Sequence, residues 1–167
     1  DKALVLSNAA DAAARGAEIA NRTELVSARR EQGRWQAALS GPRTVFASAI
    51  VNAAGPWVAE VLNQRLSGES EARVRLVKGS HIVVQKLFEH DKSYIFQNAD
   101  QRVCFAIPYE EEFTLIGTTD EDFEGDPGAA SISERESDYL LRAVNEYFSR
   151  PVSREHIRWS YAGVRPL

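Results

Sequence analysis

Apolar positions in this chain fall into two rhythms, one alternating and one helical. The alternating rhythm is clearest in the middle. Around the polar run Lys78-Gly79-Ser80-His81, Val74, Leu76, Ile82, Val83 and Val84 are bulky apolar residues, most of them β-branched. They predict an extended run that enters a tight corner at Lys78-Gly79-Ser80 and leaves as a second extended run. The helical rhythm is clearest over residues 131–149. There Leu140, Val144, Tyr147 and Phe148 recur at i, i+4, i+7 and i+8, and Ser133 with Glu136 matches a capping box.

The same reading covers the rest of the chain. Residues 7–16 predict a short alanine-filled helix, capped by Ser7 or Asn8 and ended by Gly16. A short strand is expected over residues 17–20. Residues 26–30 and 34–39 predict a hairpin turning at Gln32-Gly33, with Gly41-Pro42 as a further turn. In residues 44–57, Val45, Phe46, Ala47, Ala49, Ile50 and Val51 predict a strand buried from both sides in an α/β sheet. That strand ends in Asn52-Ala53-Ala54-Gly55, and Pro56 opens a helix expected to reach about Arg65. Polar residues 66–73 suit a connector. Beyond it, 93–97 is expected as a strand and 102–109 with 113–119 as a hairpin about Glu110-Glu111-Glu112. The tail, 157–167, reads as a strand. The expected architecture is α/β plus α+β. Residues 1–65 are part of a cofactor domain, and 74–167 form an antiparallel sheet with one long helix.

Composition narrows the function classes. With 44% hydrophobic and 26% charged residues the chain is an ordinary globular one, and its net charge of −4 offers no basic face for nucleic acid. A lone cysteine, Cys104, excludes an internal disulfide and points to reducing, cytoplasmic surroundings. Methionine is absent and the chain opens on Asp1-Lys2-Ala3, so it reads as an internal segment of a longer protein. No signal segment or membrane span is visible.

Four places could carry chemistry. Lys78, Gly79, Ser80 and His81 set a cation, a glycine, a hydroxyl and an imidazole side by side. That suits a site built on a strand, though on composition alone such a run is more often a plain turn. The small residues Asn52–Gly55 lie where a strand gives way to a helix, a place that lets a large cofactor rest on the backbone or lets the two elements pack closely. Arg165, between Gly163 and Pro166, is held extended and could fork onto a phosphate or carboxylate, or form a surface ion pair. Asp120, Asp122 and Glu124 imitate the start of a calcium loop, but the twelfth position falls on Ser131, so no metal site is expected. His90 and His156 suit the surface, and Cys104 a buried, inert thiol.

Taken together, NAAGPW, RLVKGSHIVV, IPYEEEFTLIGTTD and SYAGVRPL, in this order and spacing, resemble the bacterial FAD-dependent (aerobic) glycerol-3-phosphate dehydrogenases. Those belong to the wider glycine-oxidase-like flavoproteins. The resemblance covers nearly the whole chain. It implies part of a Rossmann-like FAD-binding domain joined to a substrate domain, and oxidation of sn-glycerol 3-phosphate to dihydroxyacetone phosphate, with electrons passing to membrane quinone. It implies that Asn52, Ala53, Ala54 and Gly55 lie against FAD, with Gly79 and Ser80 close to it, and that the backbone at Val26 meets the adenine end. His81 is then the proton acceptor and Arg165 the group facing substrate, with Lys78, Thr118 and Thr119 near the same cavity. A full-length protein would be peripheral on the inner face of the cytoplasmic membrane. An internal segment is expected to expose sheet edges and apolar faces, which suits a homodimer.

This sequence lacks the family's GxGxxG and everything after GVRPL, so the polypeptide alone is expected to bind FAD poorly and to be inactive. Two other readings compete: an amino-acid or sarcosine-type FAD oxidase, and a non-catalytic ligand-binding domain.

Overall fold

The computed structural model describes residues 2–67 and 70–167. Part of the expected connector, Gly68 and Glu69, lies outside the described residues. The chain divides into two compact units, Asp1–Asn52 with Glu60–Glu71, and Ala53–Ala59 with Ala72–Leu167. Both are built from antiparallel sheets, and the fold is mixed α/β.

In the smaller unit, helix α1 spans Lys2–Ala14 and buries none of its residues. It begins five residues before the expected start, so Ser7 and Asn8 lie inside it and cap nothing. Its alanines favour helix wherever the chain allows one. Gly16, at φ +95°, ends it as expected. No strand forms over residues 17–20. Strands β1 (Leu25–Glu31) and β2 (Arg34–Leu39) form the expected hairpin. Gln32 and Gly33 both have positive φ, as a two-residue turn of the right twist requires.

Strand β3 (Thr44–Ala47) corrects the reading of residues 44–57. It pairs antiparallel with β2, and neither of its faces is fully covered, Phe46 being 57% exposed. Val51 is exposed as well. The apolar run signalled buried surroundings, and a three-stranded sheet does not supply a second layer over both faces. A helical run follows where Pro56 placed it: a 3₁₀ turn Gly55–Trp57, the α-helical turn α2 (Val58–Glu60) and a π-helical turn Val61–Arg65.

The larger unit is organised around β4 (Leu76–Gln85), a ten-residue strand that runs straight through Lys78-Gly79-Ser80. On one edge lies β9 (Ile157–Pro166), in register from Leu76↔Pro166 to Val83↔Trp159, with a one-residue shift before Val84↔Ile157. On the other edge lie β7 (Phe113–Gly117), beside His81–Gln85, and then the short β8 (Glu121–Asp122), beside Val77 and Lys78. The expected corner is absent, because β9 pairs continuously across it on one edge, and β7 and β8 pair to either side of it on the other. Strands β6 (Val103–Tyr109) and β5 (Tyr94–Gln97) extend the sheet beyond β7.

One face of this sheet is covered by α3 (Glu134–Asn145), whose Ser133–Glu136 capping box is present. Ile82, Val84, Phe96, Cys104, Ala106 and Ile116 meet Leu140, Leu141 and Val144 in a dry core. Burial pushes the Cys104 thiol up to about 11, so it stays protonated at neutral pH. Among the described residues no helix is long and apolar enough to cross a membrane.

Candidate active site on the open face of the large sheet

Successive strand residues point to opposite faces, so β4 serves two environments. Val77, Gly79, His81 and Val83 point away from α3, and Lys78, Ser80, Ile82 and Val84 point toward it. Cross-strand partners share a face. On the face away from α3, His81 therefore lies beside Tyr161 of β9 and Gly117 of β7, Gly79 beside Gly163, and Val77 beside Arg165. His81 and Arg165 thus share one face, about 13 Å apart along the strand direction for four residues of rise.

The imidazole of His81 is clamped flat. On one side it stacks on the Tyr161 ring, centroids 4.9 Å apart and planes 9° from parallel. On the other side Gly117 presents bare backbone, and a methyl group there would overlap the imidazole ring. Its Nδ1 is buried and has no hydrogen-bond partner among the described residues. Burial without a compensating charge pushes the His81 pKa below its ordinary value, so the ring is neutral and able to take a proton at pH 7.

Next to His81 the paired glycines Gly79 and Gly163 leave a stretch of the face without side chains. Thr118 leans over the first, its Oγ1 lying 2.5 Å from where a Cβ on Gly79 would sit; nothing lies within 4 Å of the corresponding point at Gly163. The Gly79 requirement is therefore close approach, not a turn. Beyond the glycines, Arg165 Nη2 donates to Asp120 Oδ2 at 2.9 Å in a half-exposed pair. Thr118, Asp120 and Arg165 line a concavity of about 540 Å³, together with Gln101, Arg102, Val103 and Phe105. His81 is on the same face but does not line this hollow.

The remaining site residues divide. Ala53, Ala54 and Gly55 lie in the larger unit, where the Gly55–Trp57 turn packs along β9. Asn52 and Val26 lie in the smaller unit, Val26 half-exposed at a bulge that the β1–β2 pairing skips. Lys78, Ser80 and Thr119 point to the covered face. Lys78 Nζ pairs with Glu136 Oε2 at 2.8 Å, and the Ser80 and Thr119 hydroxyls donate to Glu136 Oε1 at 2.7 and 2.8 Å.

Sequence reasoning passed over Tyr161, Gly117, Arg102 and Asp120 as site residues. A signal for the first was present: Tyr161, Gly163 and Arg165 alternate along one strand and must share a face. It also read Glu136 only as half of a helix cap.

The sheet face away from α3 thus brings together an imidazole whose Nδ1 has no partner among the described residues, a bare glycine floor and a guanidinium. The whole chain, residues 1–167, matches the FAD dependent oxidoreductase family and belongs to it. It is 47% identical over 171 residues to a glycerol-3-phosphate dehydrogenase of Pseudomonas aeruginosa, covering 100% of this chain and 33% of that protein. It is 46% identical over 172 residues to a D-erythritol 1-phosphate dehydrogenase of Brucella abortus, covering 100% and 34%. Among solved structures, the glycerol-3-phosphate dehydrogenase of Bacillus halodurans complexed with FAD superposes with a TM-score of 0.78 at 32% identity, covering 94% of this chain and 33% of that one. The chain thus spans about a third of the length of these relatives.

Proposed function

We propose that a full-length protein carrying this chain oxidises the C2 hydroxyl of sn-glycerol 3-phosphate to a ketone, giving dihydroxyacetone phosphate, with FAD as its cofactor. The observation that carries this reading is the placement of His81, Thr118 and Arg165 on one open face of the sheet. The kinship with two polyol-phosphate dehydrogenases supports the substrate class.

The open face suits a flat cofactor: a buried ring nitrogen lacks a partner, and Gly163 offers a floor that a larger residue would fill. His81, Gly79 and the Ala53–Gly55 segment are the residues of the larger unit that would lie against FAD. Ser80 would contribute backbone only, since its side chain is turned to Glu136. Asn52 and the bulged backbone at Val26 would serve the cofactor from the smaller unit, so that residues 1–65 act chiefly in cofactor binding and 74–167 in substrate binding. When bound, FAD supplies the two-electron acceptor.

This chain's own residues do the rest. Neutral His81 takes the hydroxyl proton as the carbonyl forms, and its clamp between Tyr161 and Gly117 holds the ring in place for that transfer. Arg165 turns its fork from the exposed Asp120 pair onto the substrate phosphate, with Arg102 adding charge in the same hollow. Lys78 and Thr119 bear on the substrate only indirectly, through the elements they hold. On the same reading electrons leave for quinone, the protein is peripheral at the inner face of the cytoplasmic membrane, and a homodimer would cover exposed apolar residues such as Leu4 and Val5.

A second reading, D-erythritol 1-phosphate as substrate, is favoured by the 46% relative and asks for room for one more CHOH unit in the hollow. Anaerobic bleaching of the flavin in the full-length protein tests both. Bleaching by sn-glycerol 3-phosphate is expected. Bleaching by erythritol 1-phosphate alone transfers the assignment. Bleaching only by glycine or sarcosine, or by nothing, overturns the reading in favour of an amine oxidase or a non-catalytic domain.

A further inference from the structure

Behind the open face lies a charged group that the chemistry above does not use. Glu136 is 1% exposed, yet both its oxygens are fully engaged. Oε1 accepts from the Ser80 and Thr119 hydroxyls, and Oε2 from Ser133 N and Oγ at 2.8 and 2.9 Å and from Lys78 Nζ. A carboxylate this well satisfied is more than a helix cap, which needs only its reach back to Ser133.

Its position tells what else it does. The β4–β7 pairing stops at His81↔Gly117, and the β4–β8 pairing resumes at Lys78↔Glu121. That is three steps along β4 against four on the facing chain, so one extra residue has to be absorbed between Thr118 and Asp120. Opposite Gly79 and Ser80 the regular pairing is interrupted. One backbone bond and several side-chain bonds bridge the gap: Thr119 N donates to Ser80 O at 3.3 Å, Ser80 N donates to Thr119 Oγ1 at 2.8 Å, and Glu136 ties both residues to α3. Each tied residue is the immediate neighbour of one that points the other way, Ser80 of His81 and Thr119 of Thr118.

We infer that Glu136 is a positioning residue for the proposed reaction: through Ser80 and Thr119 it fixes, from the covered side of the sheet, where His81 and Thr118 stand on the open side. The inference rests on the functional reading for its kinetic consequence, and on geometry alone for its structural one. The carboxylate touches neither substrate nor cofactor. It acts by replacing the interrupted pairing with a rigid knot, and displacement of a reacting group by about 1 Å can lower a rate about 100-fold.

The test uses the full-length, FAD-loaded protein. Glu136→Gln leaves the partly buried Lys78 without its counter-charge and is liable to misfold, so Thr119→Val and the charge-balanced Lys78→Met/Glu136→Gln pair are made as well. The expected result is flavin reduction by sn-glycerol 3-phosphate slowed about 10- to 100-fold per bound flavin, with the substrate dissociation constant within about threefold. A purely structural role would lower the melting temperature and flavin content while leaving the rate per bound flavin unchanged, and that outcome overturns the inference.

Amide exchange on the same proteins needs no substrate, so it separates failure of this inference from failure of the functional reading. Faster exchange across Gly79–His81 and Gly117–Thr118 in Thr119→Val is expected. Exchange equal to that of the unaltered protein overturns the inference even if the enzyme works on another substrate.

Discussion

The two faces of the large sheet are made by the same strands and could hardly differ more. Toward α3, every polar atom of Glu136, Ser80 and Thr119 is satisfied, and Ile82, Ile116 and Leu140 are fully buried. Away from α3, His81 Nδ1 has no partner, Tyr161 and Trp159 are partly exposed, and Arg165 pairs in reach of water. The lesson is one of division of labour along a single strand. In β4, Lys78, Ser80, Ile82 and Val84 stabilise and position on one side, while on the other Gly79 and His81 stay accessible between the fully buried Val77 and Val83.

That contrast can be broken in graded ways. The largest effect is expected from His81→Ala, which removes the proton acceptor and should slow flavin reduction in the full-length protein about 10²- to 10⁴-fold with its melting point nearly unchanged. A loss below tenfold in stopped-flow traces would remove His81 from the chemistry.

On the other face the order reverses. Ile116→Ala should cost about 2–5 kcal/mol of stability by opening a cavity against α3, with the rate per folded molecule retained. Denaturant unfolding showing less than about 1 kcal/mol would mean that the core repacks freely.

The paired glycines sharpen the comparison within the open face. Gly79→Ala should destabilise by about 1–3 kcal/mol, since its methyl meets Thr118 Oγ1 and the Thr119 carbonyl. Gly163→Ala meets nothing, so its stability should stay within about 0.5 kcal/mol while flavin or substrate binding weakens. Equal melting curves for the two variants would contradict the difference in their surroundings.

The smallest and most diagnostic effect is on pH. Burial lowers the pKa of His81, so the unfolded chain takes up a proton that the folded one resists. The stability this confers is complete above the ordinary histidine value of about 6.5 and is lost as pH falls through the lower folded value. The acid limb of flavin reduction should likewise fall below 6.5 and vanish in His81→Ala. Burial pushes the Glu136 carboxyl up, but Lys78, Ser133, Ser80 and Thr119 outweigh it and hold the group down at about 2. Its contribution is therefore complete above the ordinary glutamate value of about 4.3 and is lost only on approach to pH 2. Acid titration followed by circular dichroism should show the two losses in that order, and a single transition near pH 4 would argue against both.

Much of the fold was legible because local signals were strong. The Gln32-Gly33 turn, the Ser133–Glu136 cap and the long tail strand each rest on residues that permit few alternatives. Two readings failed for one shared reason: the sequence does not say what lies beside a residue. Gly79 looked like a corner because glycine permits one, and only its neighbour Thr118 reveals that the need is for space. Residues 44–51 looked buried because they are apolar, but only Thr44–Ala47 join a sheet, at the margin of a small one, and Val51 beyond them is exposed. Of the site, His81 and Arg165 could be singled out by type, but that they share a face depends on the β4–β9 register. Lys78 was equally conspicuous by type, and the same alternation turns it to Glu136.

The extra residue between Gly117 and Glu121 has a consequence for how this stretch can change over time. Because inside and outside alternate residue by residue, deleting any one position there would send Thr119's hydroxyl outward or Thr118's inward, dismantling the knot and the hollow in one event. A substitution in this stretch changes one side chain at a time, whereas a change in its length is blocked by the geometry on either side of it.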